Sequence, residues 1–215
     1  MKPKPLRVLL ADDHDIVIEG LRRVLNHPEI EIAGAVNDGR ALLRAAKEIQ
    51  PDIIVTDVTM PLLNGIDAAR QIRESDSDVK IIFLTMHPDI SFATEALAAG
   101  GSGYVLKSSA GDELLTAIRE AAKGKTYVSK SIAEAVQQGL SARSNAWRSQ
   151  EDKLTPRQRE VLQLLAEGLT VKEIAARLNL SPSTVEFHKY RIMDELGLRT
   201  VAELGRYAAR HGLVT

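Results

Sequence analysis

The sequence predicts an α/β fold, a (βα)5 doubly wound parallel sheet, followed by an all-α domain of four helices. Five short apolar runs alternate with helix-like segments in the first half of the chain, and four helix-start signals crowd into its last third. Such alternation is typical of parallel strands joined by crossover helices, whereas closely spaced helix starts predict short helices. We therefore divide the chain into a sheet domain (residues 1–125), an extra helix with a linker (126–152) and a helical domain (153–215).

The predicted strands are apolar runs that begin 22 to 27 residues apart, at Leu6–Ala11, Ile30–Val36, Asp52–Asp57, Val79–Thr85 and Gly103–Lys107. The third and fourth runs are rich in β-branched residues and nearly continuous, which indicates strands buried on both faces. Segments between the runs repeat apolar residues with helical spacing. Strands and helices in this order form right-handed crossovers, so all five strands are expected to be parallel.

The pattern loosens after residue 125. Ser131–Leu140 is compatible with one more helix, and residues 141–152 are polar and lack periodicity, which is typical of a linker. We expect Trp147, inside this linker, to dock on a neighbouring domain.

The helical domain is predicted from capping boxes, in which a hydroxyl side chain and a carboxylate or amide three residues later satisfy free amides at a helix start. Four occur, at Thr155/Gln158, Thr170/Glu173, Ser183/Glu186 and Thr200/Glu203. Ser181 followed by Pro182 is a competing start for the third helix, because proline favours the first helical position.

Composition excludes several classes of protein. The 44% hydrophobic and 27% charged residues are typical of a soluble globular protein. The absence of cysteine excludes disulfides, thiolate metal sites and a cysteine nucleophile. No run approaches the roughly 20 apolar residues of a membrane span, and we expect no signal peptide, no membrane partner and a cytoplasmic location.

Polar side chains stand at the predicted strand ends. The first strand ends at Asp12 and Asp13, the third at Asp57, the fourth at Thr85 and the fifth at Lys107. Doubly wound sheets bind ligands outside the carboxyl ends of their strands. Clustered carboxylates suit a hard divalent cation such as Mg²⁺, and one carboxylate can attack a phosphoryl group to form an acyl phosphate. An ammonium and a hydroxyl nearby can stabilise charge on the transferring oxygens.

Each of these residues also has a simpler interpretation. An aspartate after a strand often caps the next helix, and this applies to Asp57 as well as to Asp12 and Asp13. The joint pattern, with each residue at a different strand end, favours phosphoryl chemistry.

The sheet domain resembles the receiver domains of two-component response regulators. The resemblance covers residues 6 to about 125 and rests on Val8–His14, Ile54–Pro61 with Gly65, Phe83–Thr85 and Gly103–Lys107.

The resemblance implies a role for each strand-end residue. Asp57 is the phosphoacceptor, Asp13 and Asp57 bind Mg²⁺, Asp12 supports the metal through water, and the backbone carbonyl of Thr59 completes the protein ligands. Thr85 and Lys107 contact the phosphoryl group, and Tyr104 is the switch aromatic that turns inward when Thr85 moves; an ordinary strand aromatic is the alternative for Tyr104.

Many receivers carry a cis proline after the lysine, whereas Ser108 stands here, and a cis bond before a residue other than proline costs about 3 kcal/mol. The geometry of the Lys107–Ser108 bond is therefore left open.

The helical domain predicts a helix-turn-helix. Ile174, Ala175 and Leu178 form one apolar face and Val185, Ile192 and Leu196 a second, across a tight turn at Asn179 and Leu180. Leu154–Leu162, Glu167–Leu178 and Ser183–Ile192 resemble the LuxR-type helix-turn-helix, so the whole chain resembles a NarL/FixJ-type response regulator.

The resemblance implies that the second helix of the motif enters the major groove of double-stranded DNA. We expect Lys172, Thr184, His188, Lys189 and Arg191 to contact phosphates, and Glu186, Phe187 and Tyr190 to lie against bases. Relatives often carry lysine where Glu186 stands, which puts transfer of base specificity in doubt. Glu186 either accepts from a cytosine amine or closes the capping box with Ser183.

Dimerisation is the last expectation for this domain. Residues 151–215 carry 10 basic and 9 acidic side chains, which predicts weak binding of one copy to a single half-site. In the family the last helix dimerises, which implies Leu204, Tyr207 and Ala208 here; packing in the domain core is the alternative.

The sequence thus predicts a phosphorylation-dependent DNA-binding transcriptional regulator that is not an enzyme, takes its phosphate from a sensor histidine kinase and forms a homodimer on activation. One alternative is a DNA-binding regulator controlled by a partner or ligand independently of phosphorylation. Another is a phosphatase that uses Asp57 as a transient nucleophile.

Overall fold

A computed structural model describes residues 4–76, 78–86, 88–138 and 154–214. The chain forms two compact units, Met1–Ser141 and Ala142–Thr215. The predicted linker 141–152, including Trp147, lies outside the described residues, so the docking of Trp147 stays a prediction.

The first unit is a parallel sheet flanked by helices, which confirms the predicted fold class. Its strands are β1 (Leu6–Ala11), β2 (Ile30–Val36), β3 (Ile53–Thr56), β4 (Lys80–Thr85), β5 (Gly103–Leu106) and β6 (Tyr127–Val128). They lie in the order β2-β1-β3-β4-β5-β6, with every neighbouring pair parallel. The order reverses between β1 and β3, and this switch point is where doubly wound sheets bind ligands.

Helices cover both faces of this sheet. They are α1 (Asp15–Val24), α2 (Gly39–Ile49), α3 (Gly65–Ser75), α4 (Ile90–Ala98), α5 (Ala110–Ala122) and α6 (residues 133–138). One apolar cluster joins the sheet to α2, α3 and α4, and a second joins it to α1 and α5. The inner strands β1, β3, β4 and β5 are mostly buried because each face of the sheet has its own layer of helices, whereas the edge strands β2 and β6 are more exposed.

The sixth strand is a correction to the predicted five. Tyr127 and Val128 pair with Gly103 and Tyr104 of β5, and two residues are too few to give a recognisable apolar run. Ile132 and Val136 then join the apolar cluster on the α4 side of the sheet. The packed unit therefore extends beyond residue 125.

The second unit contains α7 (Pro156–Ala166), α8 (Val171–Leu178), α9 (Pro182–Leu196) and α10 (Val201–Arg210). The predicted capping boxes at Thr155, Thr170 and Thr200 are formed. The one predicted at Ser183 is wrong, because α9 begins after Ser181, whose side chain accepts from the amide of Thr184. No helix in the described ranges is long and apolar enough to cross a membrane.

Candidate functional site

The carboxyl ends of the strands bring the predicted acidic residues together. The amide of Asp57 donates to the carbonyl of Ala11 at 2.8 Å, which fixes the end of β3 beside the end of β1. One carboxylate oxygen each from Asp12, Asp13 and Asp57 and one ring nitrogen of His14 all lie within 4.8 Å of one another. The three carboxylates are thus spaced closely enough to share one cation.

Lys107 joins two of these carboxylates. Its Nζ lies 2.6 Å from Asp57 Oδ2 and 2.6 Å from Asp12 Oδ2, and both aspartates are buried. Lys107 opens a 3-10 turn, Lys107–Ser109, directly after β5. The Lys107–Ser108 bond is trans, since no described peptide bond is cis.

Burial and charge perturb both partners. Burial raises the pKa of Asp57 above its ordinary 3.8; Lys107 acts in the opposite direction, and Asp12 adds to the rise. Burial alone would lower the pKa of Lys107, but its hydrogen bonds to Asp12 and Asp57 outweigh that effect and the pKa rises. Ion pairing therefore holds the lysine in its charged form beside the carboxylate it would assist.

The loop after β3 holds the Asp57 side chain in place. Asp57 Oδ1 accepts from the amide of Val58 at 2.6 Å, and the amide of Gly65 donates to the carbonyl of Val58 at 2.8 Å. A Cβ on Gly65 would lie 1.9 Å from the carbonyl oxygen of Asp57. Only glycine permits this approach, which explains its place in the sequence pattern.

Thr59, Thr85 and Tyr104, the other residues predicted for the site, are all buried in the first unit. Thr59 is buried, and its hydroxyl has no hydrogen-bond partner among the described residues. Thr85 and Tyr104 are fully buried, and a hydrogen bond joins their side chains. Burial raises the pKa of Tyr104, so the phenol stays neutral and able to donate. The ring of Tyr104 already points into the unit.

Sequence reasoning missed His14 as a neighbour of the cluster. Its Nδ1 lies 2.9 Å from Asp13 Oδ1, and its amide donates to Asp12 Oδ1 at 3.0 Å. The residue precedes α1 rather than ending a strand, so a search restricted to strand ends passes over it. Its position directly after Asp12 and Asp13 was the available signal.

The second unit presents a polar and aromatic face on α9. Phe187 and Tyr190 are 60% and 66% exposed. Lys189 Nζ lies 3.6 Å from Glu186 Oε2 and 5.9 Å from the ring centroid of Tyr190. Apolar rings and cations on one exposed helix face suit contact with bases and phosphates.

Four further predicted contacts lie on or beside this face. Arg191 is exposed and lies 3.9 Å from Glu195, and Lys172 is exposed on α8. The His188 ring meets that of Phe187 edge to face, with centroids 5.9 Å apart. The hydroxyl of Thr184 lies 2.8 Å from Ser181 Oγ at the start of α9.

The capping alternative for Glu186 is wrong, because Ser181 and not Ser183 caps α9. Glu186 Oε2 is shielded from solvent and has no hydrogen-bond partner in the described chain. Its nearest cation is Lys189, at a distance that gives an ion pair rather than a short hydrogen bond. The carboxylate therefore reduces the positive charge of the face.

The predicted dimerisation residues need a correction. Leu204 and Ala208 are each 0% exposed, because α10 packs against α7 and closes the core of the second unit. Tyr207 is half-buried and stacks on His211, with ring centroids 4.1 Å apart. The core interpretation thus holds for Leu204 and Ala208, and a second copy would have to use other positions of α10.

Comparisons with known proteins agree with both units. The chain matches the family "Response regulator receiver domain" over residues 8–119 and "Bacterial regulatory proteins, luxR family" over residues 152–208. It is 35% identical to the transcriptional regulatory protein MctR of Rhizobium johnstonii, over 100% of this chain and 97% of that one. It is 34% identical to the response regulator GacA of Pseudomonas aeruginosa, over 97% and 98%. The solved RcsB–DNA complex is similar with a TM-score of 0.58 and 31% identity, over 96% and 98% of the two chains.

A receiver fold with an acidic rim and a helix-turn-helix unit together define a two-component response regulator. The chain belongs to the NarL/FixJ family of response regulators, with a receiver domain followed by a LuxR-type DNA-binding domain. The proteins of this family are transcriptional regulators.

Proposed function

We propose that a sensor histidine kinase phosphorylates Asp57 and that this modification controls DNA binding by the helix-turn-helix. The observation that carries the proposal is the buried Asp57 carboxylate with Lys107 at 2.6 Å inside a cluster of acidic side chains. Buried acids are rarely placed together without a cation or a chemical role.

The transfer is a displacement at phosphorus. An oxygen of Asp57 attacks the phosphoryl group of a phosphohistidine, the P–O bond forms, and the P–N bond breaks with its electron pair left on the imidazole, which takes up a proton. Lys107 neutralises charge on the phosphoryl oxygens. Once the acyl phosphate has formed, Lys107 exchanges its contact with Asp57 for one with the phosphoryl group.

The residues present fit a magnesium ion. Asp12, Asp13 and Asp57 supply carboxylate oxygens from one cluster, and the backbone carbonyl of Thr59 is the remaining proposed protein ligand. A magnesium ion held by these residues would offset the negative charge of Asp57 and of the incoming phosphoryl group. Without it, three carboxylates and a phosphate would repel one another.

The switch uses Thr85 and Tyr104. Phosphorylation adds about two negative charges and strong acceptors at Asp57, and the Thr85 hydroxyl can donate to them. Thr85 and Tyr104 are hydrogen-bonded, so the phosphate competes with the Tyr104 phenol for the threonine. Thr85 can therefore bond either to Tyr104 or to the phosphate, and phosphorylation of Asp57 changes the relative free energy of these two arrangements.

On DNA, we place α9 in the major groove. Phosphate contacts fall to Lys172, Thr184, His188, Lys189 and Arg191, and base contacts to Glu186, Phe187 and Tyr190. The exposed positions of α10, including Val201, Ala202, Arg206 and Ala209, would meet a second copy, since Leu204 and Ala208 are buried. Two copies add avidity to a domain of nearly neutral charge.

The test combines phosphorylation with DNA binding. Acetyl phosphate and Mg²⁺ should label the wild type with one phosphate, seen by intact mass, and leave Asp57→Asn unlabelled. Beryllofluoride, which imitates the phosphoryl group, should tighten wild-type binding to DNA by about tenfold or more, a normal allosteric coupling. The matched control is Asp112→Asn, an exposed aspartate on α5 that should behave as the wild type does.

Two outcomes contradict the proposal. Unchanged DNA affinity with beryllofluoride would favour a regulator controlled by a partner or ligand independently of phosphorylation. Continuous release of inorganic phosphate with no lasting label would instead favour a phosphatase in which Asp57 is a transient nucleophile.

A further inference from the structure

Ser129 is a fully buried hydroxyl directly after β6. Its Oγ accepts from the amide of Leu106 at 3.0 Å and lies 2.5 Å from Glu113 Oε2, to which it donates. The Ser109 hydroxyl is 3.2 Å from Ser129 Oγ and 3.2 Å from Glu113 Oε2. Three polar groups from three elements thus meet around one serine hydroxyl.

These contacts enclose the turn that carries Lys107. Leu106 directly precedes Lys107, and Ser109 is the last residue of the turn Lys107–Ser109. The Ser109 hydroxyl also lies 3.2 Å from the Leu106 carbonyl. Ser129 and Glu113 therefore hold the residue before the turn and the last residue of the turn. Between these two points, Lys107 Nζ reaches Asp57 and Asp12.

Ser129 also belongs to the segment of residues 127–138, which follows α5 in the sequence and begins with β6. Its amide donates to the carbonyl of Tyr104 at 2.9 Å. Val128, Ile132 and Val136, spaced four residues apart, pack in the cluster that contains Tyr104. A hydroxyl in this buried position costs free energy unless it is hydrogen-bonded, and the groups around Ser129 supply its partners.

We propose that Ser129 and Glu113 are positioning residues that hold the Lys107 turn for phosphoryl transfer and tie it to the segment of residues 127–138. The inference rests on the proposed phosphorylation of Asp57. A buried, fully satisfied hydrogen-bond network specifies one geometry, and a lysine misplaced by about 1 Å loses much of its effect on a reaction. Neither residue touches the phosphoryl group; both act through Lys107.

The test is a double-mutant cycle in the full chain, read as the initial rate of phosphorylation by acetyl phosphate with Mg²⁺. Ser129→Ala should slow the reaction about tenfold. In a Lys107→Met background, the same substitution should change the rate by less than about twofold, because no ammonium remains to be positioned. Ser131→Ala, the same change at an exposed serine two residues away, is the matched control and should leave the rate unchanged.

If the Ser129–Glu113 network only stabilises the fold, the double-mutant cycle gives a different result. The substitution would slow the reaction equally in both backgrounds, and that result, like an unchanged rate in Ser129→Ala, overturns the inference. If circular dichroism shows that Ser129→Ala does not fold, the cycle is run with Glu113→Ala, which removes the half-buried partner, against the exposed neighbour Asp112→Ala. If the wild type takes up no phosphate, the proposed function fails and the inference fails with it. If the wild type is labelled but the substitution has the same effect with and without Lys107, only the inference is refuted.

The proposed link between the Lys107 turn and the segment of residues 127–138 is tested separately. Amide hydrogen exchange of residues 130–138 should change when beryllofluoride binds the wild type and stay constant in Ser129→Ala. If beryllofluoride leaves the amide exchange of residues 130–138 unchanged in the wild type, the proposed link is wrong.

Discussion

At the scale of single residues, the burial of Asp57, the proposed phosphorylation site, disfavours its ionised form. Asp12 and Asp57 share one ammonium, so the three buried side chains carry a net negative charge. Burial disfavours the ionised Asp57, and Lys107 compensates only in part, which is why the pKa of this carboxyl is raised. The strand ends thus hold a carboxyl group that burial makes harder to ionise beside a lysine that favours its ionised form.

The stability consequence has a definite sign. A raised pKa means that the folded chain holds the Asp57 proton more tightly than the unfolded chain does. The contribution of Asp57 to the free energy of unfolding is therefore favourable at low pH and is lost as the pH rises through the raised folded value. Above the folded pKa of Asp57 this favourable contribution is absent.

We expect Asp57→Asn to raise the midpoint of thermal unfolding in EDTA at pH 7 by about 3 °C, a change typical for removal of one unfavourable charge from a protein of this size. Lys107 keeps Asp12 as a partner in this variant. Scanning calorimetry with and without Mg²⁺ tests the expectation, and Mg²⁺ should stabilise the wild type more than the variant. A lower midpoint for Asp57→Asn in EDTA would show that its pairing with Lys107 outweighs its burial.

At the scale of elements, local signals predicted most boundaries and long-range contacts decided the rest. β1 and β2 have the predicted ends, because their apolar runs are long and bounded by polar residues or, before β1, by Pro5. The two-residue β6 exists only because β5 offers it an edge, and no local pattern reveals it. The close approach of Asp12, Asp13 and Asp57 could be predicted because each residue follows a strand. The contact of Ser129 with Leu106 joins residues 23 apart and has no sequence signature.

The start of α9 gives a prediction at this scale. Ser181 and Ser183 both offer a capping hydroxyl, but only Ser181 receives the amide of Thr184, at 3.1 Å, with Pro182 at the first helical position. Ser181→Ala should accelerate amide exchange in the first turn of α9 about fivefold, since loss of a cap costs about 1 kcal/mol. Ser183→Ala is the control and should change it by less than about twofold; a larger effect at Ser183 would contradict the observed start.

At the scale of the whole molecule, charge is divided unevenly along the chain. Residues 1–125 carry 15 basic and 19 acidic side chains, whereas residues 151–215 carry 10 basic and 9 acidic ones. The acidic part matches the proposed cation and phosphoryl chemistry, and the DNA-binding part has little excess positive charge to attract a polyanion. Occupancy of DNA must then depend on how many copies bind together, which is the variable that phosphorylation is proposed to control.

The salt dependence of DNA affinity indicates how many copies of the chain bind together. Each phosphate neutralised contributes a slope of about −0.9 to a plot of log affinity against log salt. With beryllofluoride, the full chain should show about twice the slope on a fragment with two half-sites, selected from random DNA, as on a fragment with one half-site, because two α9 helices then engage phosphates. Fluorescence anisotropy between about 50 and 200 mM salt is sufficient for this measurement. Asp57→Asn in beryllofluoride is the control and should give the single-site slope on both fragments. Equal slopes for the wild type would mean that one copy binds and that activation works without dimerisation.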